Sequence, residues 1–239
     1  MVTDVRQPVE AFLAQVDSVL GPRYSAVLYG SASRGDWHPA RSDINLLLVA
    51  DDLRPGDLRG LGGALAGLPE SWRTPPLLFT RQEWHDGADV FPVEVADMLL
   101  SHEVLRGSDP LEGRRVDPSH LRAALEREFR TKVIRLRQGY ALRAGDPAAL
   151  GEFATATLAT VLVLARTTLV LLGRPVPQTP VLVLQAFAEA AGTPAAPLAA
   201  VAGHRNDLVW RCEPDLFESY LEAIAAAAAL LNTSRPGAV

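Results

Sequence analysis

The chain has 239 residues, a length that suits two small domains or one large one. Hydrophobic residues make up 48% of it, enough for a sizeable core, and this excludes a disordered polymer. The net charge of −5 leaves no overall basic excess to neutralise a phosphate backbone, so a small-molecule or protein partner is expected rather than nucleic acid.

Val9, Phe12, Leu13, Val16 and Leu20 recur at helical spacing, and Gly21-Pro22 stops that helix. A strand follows over Ser25–Tyr29 and ends abruptly at Gly30-Ser31. A polar loop with a short helical piece leads to Ser42-Asp43-Ile44-Asn45, which opens a second apolar run, Leu46–Val49. Gly30 lets backbone approach a ligand closely, because it lacks a side chain and tolerates unusual dihedrals. Ser31 falls where a helix N-terminus would offer free N–H groups to phosphate. Asp43 and Asn45 project from one face of their strand, since side chains alternate with a period of two. A metal held there would meet phosphates held by the Gly-Ser turn.

This pattern resembles the nucleotidyltransferases of the DNA polymerase β superfamily, with their Gly-Ser turn and an Asp-x-Asp about a dozen residues later. The resemblance implies an α+β fold: an N-terminal polymerase β-like domain with a small mixed sheet and helices, then a C-terminal helical bundle. It also implies that Gly30 and Ser31 bind phosphate and that Asp43 and Asn45 hold Mg²⁺ or Mn²⁺ beside ATP or another nucleoside triphosphate. The departure is chemical, since Asn45 stands where the family has its second acid. The amide oxygen can ligate a cation but brings no negative charge. Arg34 is the candidate phosphate contact from the loop, with Arg41 as its competitor.

Farther on, Leu58, Leu61, Leu65 and Leu68 mark an amphipathic helix. Leu77–Thr80 is a short strand, and Arg81–His85 a helical turn. In Val90–Leu100, Phe91, Val93 and Val95 alternate with Pro92, Glu94 and Ala96, which predicts a strand with Glu94 off its apolar face. That segment resembles the one carrying the third acid of aminoglycoside adenylyltransferases. The resemblance makes Glu94 the metal-binding third acid or catalytic base, with Asp97 and Glu103 as competitors.

Gly107–Pro118 is rich in Gly, Pro, Asp and Arg and marks a boundary, so the expected domains are residues 1–112 and 113–239. Asp117 is a plausible N-cap with Pro118 at the first helical position. Beyond it the periodicity is helical throughout, with helices from Pro118, over Leu150–Leu172, Pro180–Ala191, Pro197–His204 and Pro214–Leu231. Phe153–Leu172 is as long as a bilayer span, yet Arg166 and five threonines make it read as a buried core helix. Cys212 is the only cysteine, so no internal disulfide forms, and the N-terminus lacks a leader pattern; a cytoplasmic protein with no membrane association is expected. The five histidines show no metal-ligand spacing. Arg127, Arg130, Lys132, Arg135 and Arg137 make the first long helix locally basic, and Trp210, Arg211 and Glu213 lead into the last one.

The implied reaction moves a nucleoside monophosphate to a hydroxyl of a small molecule, with Asp43 and Glu94 as its catalytic groups. Two readings stand beside it. One is a weakened or inactive relative that binds nucleotide for regulation, motivated by Asn45. The other is a protein-modifying enzyme that adenylylates a partner's side-chain hydroxyl.

Overall fold

The computed structural model describes residues 5–38, 42–68, 72, 74–87, 89–207 and 209–233. Two compact units divide the chain: residues up to Val90 join Met98–Arg115, and Phe91–Asp97 joins the chain from Val116 onward.

The first unit is a mixed sheet with helices. Helix α1 (Arg6–Leu20) leads into β1 (Tyr24–Tyr29), the short α2 (Ser31–Arg34) and β2 (Asn45–Ala50). Then come α3 (Pro55–Ala66), β3 (Leu77–Thr80), α4 (Arg81–Asp86) and β4 (His102–Arg106); α5 (Pro92–Leu100) falls between α4 and β4 in sequence, and its residues Pro92–Asp97 group with the second unit. The described strands are ordered β3-β2-β1-β4, with β1 antiparallel to β2 and β4, and β2 parallel to β3. Strands β1 and β2 are apolar on both faces and buried along most of their length, so each reads as a continuous run rather than an alternation. Ala26, Leu28, Leu46 and Leu48 share a core with Val9, Phe12, Leu13 and Val16 of α1 and with Leu61 and Ala64 of α3. A polar clamp ties α1 to the sheet edge. Arg106 of β4 donates to Glu10 at 2.7 Å and to Asp17 at 3.3 Å, and Asp17 also accepts from the Tyr24 hydroxyl at 2.5 Å. Burial first, then that hydrogen bond, pushes the Tyr24 phenol well above its ordinary value.

The segment expected as a strand over Val90–Leu100 is instead helix α5. Its apolar residues satisfy both periods, as a short run can: Val93 and Ala96 are three apart and buried, as are Val95 and Met98. Pro92 at the first turn, followed by Glu94, favours the helical choice, because the missing N–H costs nothing there and an acid suits a helix start. The strand that does form is β4, two residues beyond α5.

The second unit is helical: α6 (Pro118–Arg143), α7 (Pro147–Leu171), α8 (Pro180–Ala191), α9 (Ala195–Gly203) and α10 (Pro214–Thr233). Asp117 and Asp146 cap α6 and α7, each accepting from N–H groups of the first turn, and prolines occupy the N1 positions. Helix α6 runs antiparallel to α10: Arg122 donates to the Leu231 carbonyl at 3.1 Å, and Tyr140, farther along α6, donates to Glu218. Gly139 lets α7 approach α6, since a Cβ there would lie 2.0 Å from the Phe153 ring. Phe129 stacks on Phe187 at 5.7 Å, and Phe217 gathers Tyr140, Phe153 and Tyr220 within 5.9 Å.

By length and composition α7 is the one described helix able to cross a membrane, and 50% of its most apolar window is buried within the fold. Its buried threonines bond back along the helix, Thr155 to the Gly151 carbonyl at 3.0 Å and Thr168 to Leu164 at 2.7 Å. That satisfies each hydroxyl inside an apolar core without a distant partner.

Candidate functional site

Strand register brings the two halves of the motif together. In the antiparallel β1–β2 pair, Tyr29 lies opposite Asn45, so Gly30 at the end of β1 faces the start of β2. Gly30 has φ 78° and ψ −148°, a region essentially reserved for glycine. A Cβ on Gly30 would lie 2.7 Å from Asn45 Nδ2. The missing side chain therefore makes room for the Asn45 amide, which packs directly under the Gly30-Ser31 turn.

Around the turn, the Ser33 hydroxyl lies 3.0 Å from the Gly30 carbonyl and 2.9 Å from the Ser101 carbonyl, tying α2 to the residue before β4. The αL conformation of Gly35 (φ 78°, ψ 11°) ends α2, with its N–H donating to Ser31. A helix of four residues offers a turn of N–H groups rather than the macrodipole of a longer helix. Arg34 lies 3.7 Å from Asp36, and both side chains are mostly buried, so part of the arginine's charge is already answered. Arg41, its competitor, lies outside the described residues.

Asp43 and Asn45 are half-buried while Ser42 and Ile44 before and between them are buried; β2 begins at Asn45, so Asp43 lies in the segment that leads into the strand rather than on it. Ser42 fixes the entry to this segment by accepting from the His38 N–H at 3.0 Å while donating its own N–H to the His38 carbonyl at 2.8 Å. Asp43 accepts from Thr74 at 3.5 Å, a contact from the segment before β3 that no local pattern announces. Among the described residues, neither the Ser31 hydroxyl nor the Asn45 amide has a hydrogen-bond partner, and both stand beside the Gly30 turn.

The donor set does not suit a two-cation centre. Asp43 supplies one carboxylate, Asn45 a neutral amide, and the adjacent strand β3 reads Leu77, Leu78, Phe79, Thr80. Among the described residues no three His, Cys, Asp or Glu side chains gather at metal-holding distance. Magnesium prefers several hard anionic oxygens in octahedral array, and one carboxylate answers that demand for a single ion at most.

The remaining candidates take ordinary places within their own units. Glu94 stands exposed in the first turn of α5, on a helix rather than the expected strand, and groups with the helical unit; Asp97 is buried. Glu103 pairs with Arg6 at 2.9 Å. On α6, Arg130 bonds Glu126 at 2.9 Å and Arg127 lies 3.6 Å from Glu128. Burial, then the neighbouring Arg135, lowers the Lys132 ammonium below its ordinary value. His102 sits between the Met98 carbonyl at 3.0 Å and Asp109 at 3.2 Å, and His204 stacks on Trp210 at 4.4 Å.

No family model and no curated protein matches this sequence. Solved structures do: the crystal structure of spectinomycin adenyltransferase AAD(9) from Enterococcus faecialis with ATP and spectinomycin superposes with a TM-score of 0.61. The match covers 96% of this chain and 100% of that one at 13% identity, a likeness of fold. Both halves of the architecture are thus accounted for, and this chain shares the fold of that adenyltransferase, a mixed four-stranded sheet with helices followed by a helical C-terminal region.

Proposed function

We propose that this protein binds a nucleoside triphosphate, with ATP the first candidate, at the Gly30-Ser31 turn and Asp43. The observation that carries the reading is the construction of the end of β1. A glycine-only backbone turn there packs against Asn45 at the start of β2, and a half-buried carboxylate, Asp43, lies two residues before that strand. The fold likeness to a protein solved with ATP supports the choice of ligand class. Calorimetric titration of ATP and GTP with Mg²⁺, on the wild type and on Asp43→Ala, tests it. Binding that disappears in the variant is the expected result. A wild type that binds neither nucleotide refutes the proposal.

A second reading is transfer of the nucleotide to a small-molecule hydroxyl. It is favoured by one observation, that the likeness to an adenyltransferase extends through the helical half as well as the sheet. In that reading a general base accepts the proton of the acceptor hydroxyl, Glu94 being the candidate that the sequence offers, and Glu94→Gln tests it by turnover alone. Pyrophosphate release measured over a panel of aminocyclitol and aminoglycoside acceptors separates the two readings. Release with any acceptor makes the protein an enzyme, and ATP binding without release leaves a binding or regulatory relative. The cytoplasm, where nucleoside triphosphates are plentiful, is the compartment this proposal requires.

A further inference from the structure

The turn that would meet phosphate is built on an amide rather than on a second acid, and this changes what the site asks of its cation. Asn45 Nδ2 occupies the space left by the absent Gly30 side chain, 2.7 Å from where a Cβ would stand. Among the described residues it donates to nothing, and the half-buried Asn45 leaves its N–H groups beside the turn. The amide nitrogen is a donor with two hydrogens, whereas an aspartate in its place would be an acceptor only. An acceptor there meets phosphate oxygens favourably only through a bridging cation, while a donor meets them directly. Asp43, the half-buried carboxylate two residues before Asn45, retains the capacity to hold one cation, and β3, the strand next to β2, adds no acid.

We propose that nucleotide binds here with a single divalent cation, carried by Asp43, and that the Asn45 amide hydrogen-bonds phosphate where a second carboxylate would need a second cation. The inference rests on the nucleotide-binding reading above and goes beyond it in fixing how many cations the site takes and what Asn45 contacts.

Mn²⁺ in place of Mg²⁺ provides the count, by electron paramagnetic resonance of free Mn²⁺ in the presence of ATP and protein above its dissociation constant. One Mn²⁺ per bound ATP is expected for the wild type. Two per bound ATP overturns the inference and leaves nucleotide binding intact, whereas absence of ATP binding overturns the underlying reading itself. Asn45→Leu removes the donor and is expected to weaken ATP binding roughly tenfold with the count still one, the size of one lost hydrogen bond to a charged group. Unchanged affinity in that variant overturns the role given to the amide. Asn45→Asp preserves shape, so it guards against a variant that fails to fold. Its ATP binding is expected to become steeply dependent on Mn²⁺, with a second ion bound at saturation. A wild-type Mn²⁺ dependence in Asn45→Asp also overturns the inference.

Discussion

Gly30→Ala tests the construction of the turn most directly. The backbone at Gly30 sits at φ 78° and ψ −148°, where a residue with a Cβ pays about 1–3 kcal/mol. The new methyl also lands 2.7 Å from Asn45 Nδ2, closer than real Cβ contacts come, so Asn45 must swing away or the strand end must shift. Displacing a half-packed amide adds about 1 kcal/mol, the low end of the range for overpacking. The sum, about 2–4 kcal/mol, corresponds to a Tm lowered by roughly 4–16 °C for a chain of this size. Thermal unfolding followed by circular dichroism reads it. The double variant Gly30→Ala/Asn45→Ala separates the two causes, because it removes the collision and keeps the backbone strain. It is expected to recover only the smaller part of the loss. A Gly30→Ala protein with wild-type Tm would refute the geometry of the turn, and with it the placement of the Asn45 amide against Gly30.

Three further outcomes follow from other parts of the fold. Asp146→Ala removes an oxygen that accepts from Ala148 at 3.0 Å and Ala149 at 3.1 Å, and is expected to cost about 1 kcal/mol in chemical unfolding; no loss would mean that water replaces the cap fully. Gly139→Ala drives a methyl to within 2.0 Å of the Phe153 ring and is expected to destabilise by about 1–3 kcal/mol. Phe153→Leu in the same chain should restore part of that loss, and a Gly139→Ala protein as stable as wild type would refute the close α6–α7 approach. Burial, with a smaller contribution from Glu213, pushes the Cys212 thiol up to about 11. The unfolded thiol ionises first as pH rises, so the unfolded state loses its proton while the folded state keeps it, and stability falls from about pH 9 toward pH 11. Native protein should therefore react far more slowly with a thiol reagent at pH 8 than urea-unfolded protein does; equal rates would place Cys212 at the surface.

The elements legible in the sequence were those whose signals are local. Proline at a helix start with an aspartate before it announced α6 at Pro118, and the apolar spacing of Val9, Phe12, Val16 and Leu20 announced α1. The Gly30-Ser31 turn and the start of an apolar strand near Asn45 were readable for the same reason, because a glycine turn and an apolar run need only the next few residues, although β2 begins at Asn45 and leaves Asp43 before it. Val90–Leu100 was not readable as a helix. Phe91, Val93 and Val95 fit a period of two while Val93 with Ala96, and Val95 with Met98, fit a helix, so the local pattern supports both. Strand β4 was missed because His102–Arg106 is short and mostly polar or half-exposed, and only pairing with β1 makes it a strand.

Local signals were enough for a sheet-bearing N-terminal half with a Gly-Ser turn and one acid leading into the following strand, then a helical half, because periodicity and capping act within a few residues. What those residues do to one another came from packing between distant segments. Tertiary packing put the Asn45 amide into the space beside Gly30, paired Arg34 with Asp36, and set Thr74 against Asp43 across 31 positions of chain. It also chose helix for α5. Each of these depends on register and burial, which are set by contacts between segments distant in sequence, and no local pattern carries that information.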